Sequence, residues 1–151
     1  MSEVIVTSLQ NLQNEVRYGN EHKLITDEPT GAGGEDAGPD PYTLLLAALG
    51  SCISMTVRLY ANRKGWPVER ITVRLRQNRV HAADCKECQQ TEGFIHRIER
   101  SVTVEGDLTE AQRRRLQEIS HKCPVHKTLT SEIVIADMQE EEKTVLPRNI
   151  F

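Results

Sequence analysis

Four cysteines and the basic residues beside them are the groups in this 151-residue chain whose types and spacing could do chemistry. Cys52 lies in a stretch, Pro41 to Val57, that carries no charged residue. A thiol there is either a small hydrophobe filling a core or a nucleophile in a shielded pocket. Standing mid-helix, it gains nothing from the helix macrodipole, whose influence fades after the first turn. A thiolate at Cys52 therefore needs a cation or donor from elsewhere in the fold. Cys123 differs. Pro124 follows it at what reads as the start of a new turn, Pro124-Val125-His126-Lys127-Thr128, which makes Cys123 the N-cap. Free N–H groups facing its sulfur favour a thiolate, and His121, Lys122, His126 and Lys127 add basic groups nearby. The plainer reading is a helix-to-helix corner under a solvated basic surface.

Cys85 and Cys88 form a CxxC in Ala83-Asp84-Cys85-Lys86-Glu87-Cys88-Gln89. A thioredoxin-like site needs a helix opening at the first Cys, whereas here Gly93 and a new strand follow, so the motif lies in a hairpin loop. A zinc site needs two further ligands; His81 and His96 are the candidates, at a spacing that matches no common pattern. A loop that binds nothing specific is the third reading. Neither a phosphate-binding Gly loop nor a frame of paired catalytic carboxylates is present, and the Arg113-Arg114-Arg115 run is most simply the wet face of a helix.

These residues need elements to position them. Short β-type runs cover residues 3–8, 12–18 and 22–26. The Gly- and Pro-rich segment from Pro29 to Pro39 must be loop. Asp40 is a good N-cap and Pro41 suits the first helical position, so a helix is predicted from there to about Lys64, stopped by Gly65-Trp66-Pro67. Ile71, Val73 and Leu75 alternate with charged residues over 69–80, and Ile98, Val102 and Val104 do the same over 95–105, which predicts a long hairpin with one wet face. Thr109-Glu110-Ala111-Gln112 is a capping box opening a second helix with a narrow apolar face, Ala111, Leu116 and Ile119, ending near His121. A last strand is expected over Glu132–Ala136, then a loosely ordered tail. The order βββ–α–ββ–α–β reads as an α+β fold in a single domain over residues 1–151.

Composition narrows the function. At 38% hydrophobic and 27% charged the chain is of soluble, globular type, and a formal net charge of −3 gives no reason to expect nucleic acid or an acidic membrane as partner. The uncharged stretch is short and polar for a membrane span. No apolar run follows a basic start, so no signal peptide is expected and the cytoplasm is the expected compartment. Cysteines there stay reduced, which favours catalysis or metal binding over structural disulfides. Small residues Ala47, Ala48, Gly50, Ser51 and Ser54 would let another element approach the first helix closely. A helix so apolar needs more cover than one short helix and a few strands supply, and dimerisation is a remedy.

Gly38-Pro39-Asp40-Pro41-Tyr42 leading into Leu45-Leu46-Ala47-Ala48-Leu49-Gly50-Ser51-Cys52, with Lys122-Cys123-Pro124-Val125 further on, resembles the OsmC/Ohr superfamily. Nearly the whole chain follows its element order, and the Asp-Cys-x-x-Cys loop resembles one branch of OsmC-like proteins. The resemblance implies antiparallel sheets around a buried central helix in an intertwined homodimer, with both Cys at a pocket between subunits. It further implies reduction of organic hydroperoxides, with Cys52 at the peroxidatic position and Cys123 at the resolving one, and a lipoyl-type dithiol as reductant; no cofactor or metal is expected. The family's peroxidases carry Asn-Pro-Glu at the helix start, the Glu orienting an Arg that activates the thiol. Here the triplet is Asp40-Pro41-Tyr42, and a phenol cannot form a bidentate ion pair with guanidinium. Arg17 is a candidate cation. The alternative function is a non-catalytic module binding an apolar small molecule at the same interface.

Overall fold

Caps and alternation set the elements. The computed structural model describes residues 3–138, in which the chain runs β1 (Val4–Ser8), β2 (Asn14–Tyr18), β3 (His22–Thr26), α1 (Pro41–Lys64), β4 (Val68–His81), β5 (Phe94–Gly106), α2 (Glu110–Ser120) and α3 (Pro124–Leu129). β1, β2 and β3 form an antiparallel meander, with Val16 of β2 opposite both Val6 and Leu24. β4 and β5 form a separate antiparallel hairpin in which Val73 faces Val102, Leu75 faces Arg100 and His81 faces Phe94. This is an α+β fold, two antiparallel sheets with one long central helix.

The loop before α1 is organised around a single carboxylate. Asp27, only 2% exposed, accepts the N–H groups of Glu28 (2.8 Å), Glu35 (3.0 Å) and Ala37 (3.2 Å). Burial pushes its carboxyl up, but the N–H groups of Ala37, Glu35 and Glu28 outweigh that and hold it below the ordinary carboxylate range. The backbone folds so tightly here that a Cβ on Gly34 would sit 1.8 Å from the Glu28 carbonyl oxygen. The carboxylate of Asp40 then caps α1, accepting the N–H of Tyr42 (2.9 Å) and Thr43 (3.1 Å), with Pro41 in the first turn. Gly65 ends the helix at φ 65°, the left-handed conformation that closes its last carbonyls.

α1 buries one stripe. Leu49, Ile53, Val57 and Ala61 recur every fourth residue and are 0–4% exposed. Val57 and Ala61 meet Val68, Val104 and Leu116, with Tyr60 and Trp66 packed around them. Leu49 and Ile53 meet Cys123, with Val73, Leu75, Ile98 and Leu129 at the edge. Burying a side chain such as Ile53 or Val57 contributes about 1.5–3 kcal/mol, so this stripe anchors the helix to both β4–β5 and α2. The approach to β4 is close, because a Cβ on Gly50 would lie 2.8 Å from Leu75 Cδ1. The other faces of α1 are open within the chain: Leu45, Met55 and Leu59 are exposed, as are Val4, Ile5 and Val6 of β1.

Three expectations need correction. Residues 132–138 form no strand, and Ile133, Val134, Ile135 and Met138 are 55–95% exposed. Alternation specifies the two faces of a strand but not a partner edge, and this segment meets none among the described residues. The expected tail at 137–151 lies outside the described residues from 139 onward. Ala111 is exposed, so Leu116 and Ile119 carry the buried face of α2. Finally, the arginine run is only partly a wet face. Arg113 donates to the Val104 (2.5 Å) and Gly106 (2.8 Å) carbonyls, and Arg115 to the Tyr60 hydroxyl (3.1 Å), so α2 is tied to β5 and α1 by guanidinium groups.

Candidate functional site

α1 and α3 bring the two free cysteines together from opposite ends of the sequence. Cys52 is half-buried on α1, on the turn between Leu49 and Ile53. Cys123 is fully buried between them as the N-cap of α3. Its sulfur accepts the His126 N–H at 3.4 Å, and Cys52 packs against the cluster that it forms with Leu49 and Ile53. The capping role comes from Pro124, whose ring suits the first helical position and leaves the sulfur facing the free N–H groups of the turn.

Burial pushes the Cys123 thiol up, and the neighbouring Cys52 adds to this, while the N–H groups of His126 and Val125 pull the other way. Capping alone favours a thiolate, but here it is outweighed. Cys123 is therefore drawn toward its thiol form, with the donors of α3 already in place to receive charge.

The cation near this pair comes from β5. Arg100 Nη1 donates to the Ser120 carbonyl (3.0 Å) and to Ser120 Oγ (3.3 Å), and Nη2 donates to His121 Nδ1 at 2.6 Å. The guanidinium thus clamps the end of α2 immediately before Cys123. Arg100 also shares a cavity wall with His126, whose N–H meets the Cys123 sulfur, and burial lowers the guanidinium pKa while Cys123 raises it. His121 is in turn pulled below its ordinary value by burial, by Arg100 and by His126. A cavity of about 240 Å³, walled by Leu49, Ile98, Arg100, His126 and Leu129, opens beside the pair.

Arg17 holds a different post. It forms an ion pair with Glu15 on the same strand at 2.5 Å and its side chain is 68% exposed. Tyr42 stacks on His96, ring centroids 6.1 Å apart, and Gln77 Nε2 meets His96 Nδ1 at 2.8 Å. Tyr42 is therefore packed against an imidazole, not paired with a guanidinium. Arg100 is the site residue that the sequence motifs miss, although alternation carries a signal for it. It shares strand parity with Ile98, Val102 and Val104, so it is a charged residue on the core-facing side of β5.

The expectation of reduced cysteines fails for one pair: Cys85 and Cys88, brought close by the tight connection between β4 and β5, are joined as a disulfide with Cα atoms 5.5 Å apart. Of the two histidines considered beside them, His81 Nδ1 accepts the Ala83 N–H and His96 is engaged by Gln77 and Tyr42. Among the described residues no group of three or more His, Cys, Asp and Glu is placed to hold a metal ion.

A long helix capped by Asp-Pro and packed with two antiparallel sheets defines the class. The chain belongs to the OsmC-like protein family, whose profile matches residues 33–136. Its fold is that of solved OsmC/Ohr proteins. An OsmC-like protein from Mycoplasma pneumoniae superposes with a TM-score of 0.67 at 17% identity, covering 85% of this chain and 86% of that one. An organic hydroperoxide resistance protein OsmC from Legionella pneumophila gives 0.62 at 18%, covering 86% and 89%. The organic hydroperoxide resistance protein OhrB of Bacillus subtilis gives 0.58 at 15%, covering 86% and 90%. No curated protein matches the chain in sequence. By length and composition alone α1 could cross a membrane, but in this fold it is the central helix.

Proposed function

We propose that the protein is a thiol-dependent peroxidase that reduces organic hydroperoxides through Cys52 and Cys123. The observation that carries this reading is the packing together of two free thiols brought by α1 and α3, one half-buried and one fully buried. Deprotonated Cys52 attacks the O–O bond of the hydroperoxide, forming Cys52–SOH and releasing the alcohol, which takes up the proton that the thiol gave. The Cys123 thiol then displaces water from the sulfenic acid, forming the Cys52–Cys123 disulfide before a second peroxide can over-oxidise Cys52. A dithiol of the lipoyl type restores both thiols and leaves as its own disulfide. Hydroperoxide resistance proteins with the same fold from Legionella and Bacillus support the substrate class.

In the same reading the chain is one OsmC-like domain acting as a cytoplasmic homodimer. The open faces of α1 and β1 and the exposed run Ile133–Ile135 are what a second copy would cover. The Asp84-Cys85…Cys88 loop supports a place in the branch that carries it. The groove of about 720 Å³ along α1, lined by Leu46, Ala47, Met55, Val73 and Leu75, favours an apolar substrate. It equally suits the second reading, a non-catalytic module holding an apolar ligand, in which Cys52→Ser would keep full ligand affinity.

The deciding experiment treats the protein with cumene hydroperoxide and maps alkylated peptides by mass spectrometry. A Cys52–Cys123 disulfide that lipoyl-type dithiols reduce is expected. If both thiols remain free after one equivalent of peroxide, the peroxidase reading is lost.

A further inference from the structure

We propose that Arg100 is the positioning residue of the reductive half-reaction: it stabilises Cys123 as the thiolate that leaves when the Cys52–Cys123 disulfide is opened, so that the reductant attacks Cys52. This rests on the peroxidase reading above and assigns a role that neither the motif at the start of α1 nor Arg17 fills.

The two sulfurs are not equivalent. Cys52 is half-buried, whereas Cys123 is 0% exposed among Leu49, Ile53 and α3. An incoming dithiolate must approach along the S–S axis of the sulfur it attacks, and only Cys52 offers that line. The attack forms a mixed disulfide at Cys52 and breaks the bond to Cys123, whose sulfur takes the electron pair as a thiolate. The second thiol of the reductant then attacks its own sulfur in the mixed disulfide, releasing Cys52 as a thiolate and the reductant as a disulfide. Two protons, those the dithiol gave up, end on Cys52 and Cys123. The rate depends on how well the leaving sulfur holds charge.

Burial opposes charge at Cys123. Three groups offset it: the N–H of His126, the N–H of Val125, and the Arg100 guanidinium. Around the sulfur the titratable and charged side chains are Cys52 from α1, Arg100 from β5, His121 with Lys122 after α2, and His126 with Lys127 on α3. Arg100 is held by Ser120 and His121 through fixed hydrogen bonds, so its charge is in place before the bond breaks. Burial and the neighbouring Arg100, which donates to His121 Nδ1, hold that imidazole below its ordinary value, so it is a weaker source of positive charge than the guanidinium. A preset cation costs no reorganisation when the thiolate appears.

The test uses the full-length protein, with the Cys52–Cys123 disulfide made by diamide so that peroxide chemistry is bypassed. Dithiothreitol then reduces it across a pH series, quenched samples are alkylated, and peptide mass spectrometry reads Cys123 apart from Cys85 and Cys88. Arg100→Gln is expected to slow Cys123 release by on the order of tenfold at neutral pH, with the rate–pH profile displaced to higher pH. Arg100→Lys, which keeps the charge but not the fork, is expected to recover most of the rate. In Cys123→Ser, a mixed disulfide with an aromatic disulfide probe is expected to form at Cys52. An Arg100→Gln protein that melts within a few degrees of the parent and releases Cys123 at parental rates at every pH overturns the proposal, as does recovery of the displaced profile by no charged substitute. If diamide-made disulfide behaves as expected while hydroperoxide makes none, the peroxidase reading fails and the Arg100 assignment stands.

Discussion

The chain carries two cysteine pairs built on opposite plans. Cys85 and Cys88 are three residues apart, joined in a hairpin connection. Cys52 and Cys123 are drawn together by the packing of α1 against α3, both free, one sealed from solvent. The first pair depends on local chain geometry alone and needs little of the fold to exist. The second exists only while Leu49, Ile53, Ile98 and Leu129 hold α3 on α1, so its chemistry is a property of the folded state.

The most decisive way to break this contrast is to remove one sulfur from each pair. Cys52→Ser is expected to lower hydroperoxide consumption by a thousandfold or more, on the order of a lost nucleophile, measured by coupled dithiol oxidation. Cys123→Ser should spare the first turnover and stop later ones, with sulfenic then sulfinic acid accumulating at Cys52 by intact-mass analysis. Scaffold changes come next. Leu116→Ala, in the carbon cluster away from the thiols, should cost about 3 kcal/mol in urea unfolding, yet leave the Cys52–Cys123 link able to form in the folded fraction.

A smaller effect tests the loop that aims α1. Asp27 has a folded-state pKa held below its unfolded one, so its contribution is fully present above the ordinary carboxylate range and is lost as pH falls through the lower folded value. Asp27→Asn should therefore flatten the acid limb of stability between those two points, seen by thermal melts from neutral to acid pH. The smallest expected change is that of Cys85→Ser with Cys88→Ser, which should leave the peroxidase rate within about twofold if the hairpin pair is independent. A larger loss would make the two pairs one system.

Much of the scaffold was legible because its signals are local. Asp40 and Pro41, Gly65, and the Thr109–Gln112 capping box each mark an end by satisfying N–H or C=O groups within four residues. The strand faces at Ile71–Leu75 and Ile98–Val104 follow from alternation. Cys52 and Cys123 could be nominated from type and setting, but their contact depends on a helix crossing that no short window encodes. Arg100 hid in plain alternation, a charge at core parity whose partners, Ser120 and His121, lie on another element. The strand expected at Glu132–Ala136 failed for the complementary reason, since a β pattern states which face is apolar and not which edge it joins.

Trp66, the single tryptophan, stands edge-on to Tyr60 at 5.7 Å in the cluster of Val57, Val68 and Leu116. The hairpin connection lies at the other end of β4, roughly 40 Å along the strand from Val68 at 3.3 Å per residue, and Cys123 belongs to the neighbouring cluster. The indole is thus seated in the cluster that holds no cysteine, and its emission follows the carbon end of the molecule. Fluorescence and sulfur oxidation become independent channels in one sample, so a protein oxidised at Cys52 can be told optically from one that has come apart.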